Sequence, residues 1–88
     1  MATSEFIMEE FRAIVTRFPQ REFEIRRCFN RDAQFRAICA DYDEAVKALR
    51  RWQQAAKEGD REGSRKAADY ERLVAELETE ALVHLNRP

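Results

Sequence analysis

Residues 32–58 read DAQFRAICADYDEAVKALRRWQQAAKE, and the spacing of their apolar side chains decides the fold. Phe35, Ile38, Tyr42, Ala45, Leu49, Trp52 and Ala56 recur at alternating intervals of three and four. That spacing places them on one side of an α-helix and matches a three-heptad coiled-coil seam. Asn30 or Asp32 can cap the helix start with a side-chain oxygen. Downstream, Gly59-Asp60-Arg61-Glu62-Gly63 breaks the pattern, and Gly59 can adopt the left-handed conformation that closes a helix.

Beyond the break, Ser64 is the candidate cap for a second helix. Ala67, Tyr70, Val74, Leu77, Ala81 and His84 continue the same spacing, and Leu73, Leu82 and Leu85 widen the face. Two matched seams across a short link predict an antiparallel helical hairpin with arms at about 32–58 and 64–86. Folding the chain about residue 61 sets Trp52 opposite Tyr70, Leu49 opposite Leu73 and Val74, and Tyr42 opposite Ala81.

Two helices cannot cover both of these broad faces, so a further element must supply a lid. The N-terminus offers one. Thr3 or Ser4 can cap a helix with Glu5 in its first turn, followed by an apolar stripe of Phe6, Ile7, Phe11, Ile14, Val15 and Phe18 that Pro19 ends. Such a stripe is seldom left open to water. Phe6, Phe11, Ile14 and Phe18 are therefore the candidate partner-binding residues. A chain this small gains much by association, which favours docking against a second copy or a partner helix over covering its own hairpin. Between Pro19 and Arg31, Ile25, Cys28 and Phe29 share a helical face while Phe23 and Ile25 alternate with charge. A short helix is the better reading, because a lone strand would have nothing to pair with. The expected architecture is all-α: one helical domain over residues 1–88, with the hairpin and an N-terminal amphipathic helix in a three- or four-helix bundle-like arrangement.

Composition agrees. The 88 residues are 38% charged and 44% hydrophobic with two Gly and two Pro, which suits long helices and few loops. A net charge of −1 gives no global field for nucleic acid or membrane. Apolar runs such as Ala13-Ile14-Val15 are far short of a bilayer span of about 20 residues. With no basic-then-apolar leader either, the chain reads as cytoplasmic. Cys28 and Cys39 match no metal-ligand or redox spacing and read as reduced thiols.

No catalytic or metal residues are assigned, and no cofactor is expected. His84, Glu80 and Glu76 share one helical side, but di-iron bundles use Glu-x-x-His at three-residue spacing on paired helices, and here the interval is four. Nothing resembles a nucleophile elbow or a glycine-rich phosphate loop. Charge is nevertheless uneven. Residues 47–66 hold seven basic side chains against three acidic, a net of +4, while 37–46 and 67–88 each carry −3. The turn end of the hairpin is thus basic and the open end acidic, and Arg50, Arg51, Arg65 and Lys66 are the candidate anion-binding residues.

The segment Asp32-Ala33-Gln34-Phe35-Arg36-Ala37-Ile38, followed by Asp41-Tyr42-Asp43-Glu44-Ala45-Val46 and later by Leu77-Glu78, resembles the YdcH-like small helical-hairpin proteins of bacteria over about residues 32–85. The resemblance implies a bacterial cytoplasmic hairpin and supplies no catalytic residues. The helix and the thirteen residues Pro19 to Arg31 ahead of it have no counterpart there. The functional expectation is a non-enzymatic interaction or scaffold module that self-associates. The alternative is an adaptor whose basic hairpin tip touches nucleic acid or an acidic protein, with nucleic acid the weaker of the two because three carboxylates interrupt the tip's charge.

Overall fold

In the computed structural model, which describes residues 11–87, four helices enclose one apolar core. These are α1 (residues 11–17), α2 (Glu22–Arg31), α3 (Ala33–Lys57) and α4 (Arg61–Leu85), with a 3-10 turn at Pro19–Arg21 between the first two. The all-α hairpin with an N-terminal lid is the observed architecture.

Asp32 starts α3. Its Oδ1 accepts from the backbone N–H groups of Gln34 and Phe35 at 2.9 and 3.2 Å, satisfying two of the donors that a helix start leaves unpaired. At the other end Gly59 takes φ +92°. There the Asp60 N–H reaches the Ala55 carbonyl at 3.0 Å and the Gly59 N–H reaches Ala56 at 3.1 Å, the paired closure of a Schellman motif. Asp60 then caps α4, its Oδ1 accepting from the Glu62 N–H at 2.9 Å.

That last contact corrects the expected boundary. The cap is Asp60 and not Ser64, so α4 begins at Arg61 and only Glu58, Gly59 and Asp60 link the arms. Gly63 consequently lies inside α4, buried, where its hydrogen lets two helices touch. A Cβ built there would sit 2.5 Å from the Ala56 nitrogen and 2.8 Å from its Cα. The pairing shifts with it. Ala56 lies against Gly63, Lys66 over the Trp52 ring, and Tyr42 bonds to Glu78, so the arms fold about residues 59–60 and not 61.

Burial follows the expected seam through Phe35, Ile38, Tyr42 and Ala45, then moves to Ala48, leaving Leu49, Trp52 and Ala56 half-buried. Among the described residues, the lid packs on the open half of the hairpin. Phe11, Ile14, Phe18, Ile25, Cys28 and Phe29 join Phe35 to Ala45 and Leu77 to Leu85 in one cluster, whereas Ala48 and Ala67 are buried outside it. Toward the tip only the small residues Ala48, Gly63 and Ala67 are enclosed between the arms.

Pro19 ends α1 as expected, and the stretch after it is helical, with Ile25, Cys28 and Phe29 turned into the core and Phe23 left 72% exposed. Polar contacts fasten the lid. Arg36 donates to the Phe29 carbonyl at 2.8 Å, Arg21 to Asn86 Oδ1 at 3.0 Å, and Arg17 to Glu78 Oε2 at 3.0 Å.

Candidate functional site

Three of the four residues expected to bind a partner do not form an open stripe. Phe11, Ile14 and Phe18 are 4%, 0% and 8% exposed, within the chain's own core, and the rings of Phe11 and Phe29 lie 5.3 Å apart. Phe6 lies outside the described residues. The reason is geometric: the 3-10 turn at Pro19 reverses the chain, so α1 and α2 fold back over the open half of the hairpin. A surface expected between two copies is occupied within one.

One face of the hairpin is left uncovered by the other described residues. On it, Ala45 and Ala48 of α3 and Tyr70, Leu73 and Leu77 of α4 line a groove of about 330 Å³ rimmed by Asp41, Glu44 and Arg51. Leu73 is 39% exposed there and Tyr70 half-buried. Small side chains on the floor permit a third helix to approach closely, and the exposed leucine offers it an apolar contact.

The opposite face carries a second groove, of about 420 Å³, where α1 lies beside α3. Arg12 and Arg17 stand on one wall and Lys47 and Arg50 on the other, above Ala13, Tyr42 and Val46. One end is tied by Glu78, whose Oε2 accepts from the Tyr42 hydroxyl at 2.7 Å as well as from Arg17. Burial, and then the carboxylate that accepts its proton, push the Tyr42 hydroxyl well above the usual phenol range, so it stays a donor.

The expected anion-binding residues are not brought together. Arg50 lines the α1–α3 groove, Arg51 borders the opposite one beside Asp41 and Glu44, Lys66 lies 6.0 Å from the Trp52 ring centroid, and Arg65 is exposed on α4. Residues adjacent in sequence point to different sides of a helix, which a count of charges along the chain does not register.

At the open end, His84 Nδ1–H donates to Asp32 Oδ2 at 2.9 Å. The bond holds the Asp32 carboxyl below its ordinary range, with help from the two backbone donors it caps. His84 thus joins the end of α4 to the start of α3, and its partner is Asp32 and not the glutamates on its own helix. Cys28 and Cys39 are both buried, and burial raises the Cys28 pKa, which keeps its thiol protonated and a weak nucleophile. Among the described residues no three His, Cys, Asp or Glu side chains group to hold a metal ion, and no helix is long and apolar enough to cross a membrane.

Sequence reasoning missed Glu78, Arg12 and Arg17 as well as the role of Gly63. Glu78 contacts residues 36 and 61 positions away, a separation at which no local pattern signals a pair. Comparison with protein-family models, with curated proteins and with solved structures finds no match for the chain.

Proposed function

We propose that the protein is a non-enzymatic helical interaction module that self-associates through the uncovered α3–α4 face. The observation that supports this most is that the face can complement itself. Along α3 the rim carries Asp41 and Glu44 at one end and Arg51 at the other, with Ala45 and Ala48 between them. Glu44 and Arg51 are seven residues apart, two helical turns or roughly 10 Å. A two-fold axis at the level of Lys47 and Ala48 sets the α3 helices of two copies antiparallel. Glu44 of each copy then lies beside Arg51 of the other, as an isologous interface requires.

Energetics favour the arrangement. Leu73 and Tyr70 leave water on association, apolar area is worth about 25 cal/mol per Å², and the two alanines let helix axes come to roughly 8 Å. The charge pairs add little affinity at an exposed rim, but they fix orientation. The self-associating module expected from sequence is kept, with its interface moved from the N-terminal stripe to the hairpin.

Sedimentation velocity at micromolar concentration tests the reading. The native chain is expected to sediment as a dimer, and Leu73→Glu as a monomer that keeps its helical circular dichroism. A native chain that remains monomeric at every accessible concentration would refute it.

A further inference from the structure

The basic groove on the other face has no part in that association. Its two walls belong to different helices, and cations outnumber the one carboxylate between them: Arg12 and Arg17 from α1 confront Lys47 and Arg50 from α3, with Asp43 beside Lys47. Two of the four are engaged, Lys47 with Asp43 at 3.0 Å and Arg17 with Glu78 at 3.0 Å. Arg12 and Arg50 have no carboxylate partner among the described residues. Like charges on facing helices weigh against the seating of α1, and an anion between them would reverse that sign.

The floor narrows the choice of ligand. Ala13 and Val46 are half-buried and Tyr42 is buried beneath them, so the groove is apolar at its base and cationic at its lips. A phosphodiester strand asks for a row of cations along a surface and would leave an apolar floor unfilled. A peptide whose carboxylates alternate with aliphatic side chains meets both requirements, and about 420 Å³ accommodates a few such side chains.

We propose that the α1–α3 groove binds an acidic peptide segment, with carboxylates held by Arg12 and Arg50 and an aliphatic side chain seated on Val46 and Ala13. Binding draws α1 more firmly onto α3, because the bound carboxylates bridge the two walls. Affinity falls as salt is added, since both arginines are exposed and screened.

The test is fluorescence anisotropy of the full chain with a labelled ten-residue peptide of alternating glutamate and leucine, at low salt. Matched peptides carrying glutamine for glutamate, or serine for leucine, serve beside it, together with labelled oligothymidylate. Saturable binding is expected with the first peptide alone. Arg12→Gln and Arg50→Gln are each expected to weaken it at least about tenfold, the scale of one lost charge-assisted hydrogen bond. Lys57→Gln, at the exposed C-terminal end of α3 outside the groove, should leave it unchanged. Circular dichroism of each variant checks that the helices persist. No saturable binding, undiminished binding by either arginine variant, equal binding of the glutamine or the serine peptide, or preference for oligothymidylate would each overturn the proposal.

Discussion

Gly63 shows how one residue can carry two opposite expectations. By helix propensity, an alanine in its place inside α4 should stabilise by about 1 kcal/mol. By packing it should do the reverse, since the added carbon would meet the backbone of Ala56 at 2.5 Å, and a backbone cannot swing aside as a side chain can. Overpacking costs typically 1–3 kcal/mol, so Gly63→Ala is expected to lower stability by up to about 2 kcal/mol net in urea denaturation. A stabilised variant would mean that the two arms stand further apart near the turn. Asp32 makes a second prediction at this scale. Its carboxyl is held below the ordinary range in the folded chain, so protonation is harder folded than unfolded. The stabilisation is therefore present above the ordinary carboxylate pKa of about 3.9 and is lost as pH falls through the folded value. Asp32→Asn keeps a capping oxygen but cannot ionise, so its melting temperature should fall less steeply than the native one between about pH 5 and 3. Parallel acid limbs would show that Asp32 does not contribute to the pH dependence.

At the level of elements, the hairpin was legible in the sequence because the three-four spacing in residues 35–56 and 67–84 is a local property of each helix. The start of α4 was not. Ser64 and Asp60 are both sound caps, and the choice falls to Asp60 because that residue also completes the Schellman closure of α3. Gly63 accordingly reads as a turn residue in the sequence, whereas in the fold it serves close packing. The destination of the N-terminal stripe was likewise hidden: its amphipathic spacing demands burial but does not say against which chain. The 3-10 turn after Phe18 decides that, and among the described residues Leu49 and Trp52 stay outside the cluster the lid joins. Leu77, 6% exposed, should lose about 2–4 kcal/mol on change to alanine, whereas Leu49→Ala, at a half-buried site, should lose clearly less. Denaturant midpoints of the two variants decide the order, and a larger loss at Leu49 would contradict the observed register. Because Phe11 and Phe18 lie in the same core as Phe35 and Leu77, Phe11→Ser with Phe18→Ser should unfold the chain cooperatively. A stable folded monomer from that double variant would place the stripe outside the chain's own core.

For the whole molecule, with principal extents of 44 × 30 × 22 Å, a lid over half of a longer hairpin leaves two unlike faces. One is small, apolar and rimmed by charges of both signs, and the other is cationic over an apolar floor. Charge counted along the sequence gave a basic tip. Folding divides that charge between faces, with Arg50 on the α1–α3 groove and Arg51 on the α3–α4 one. The central claim is that two copies meet antiparallel on the α3–α4 face, and mixing two charge variants tests it most directly. Glu44→Arg alone places arginine against Arg51 of the other copy at both ends, and Arg51→Glu alone places glutamate against Glu44. Each should sediment as a monomer. Mixed in equal amounts, they present opposite charges at both ends, and a heterodimer is expected at the concentration where the native chain dimerises. Monomers in the mixture, or dimers of either variant alone, would contradict the antiparallel face.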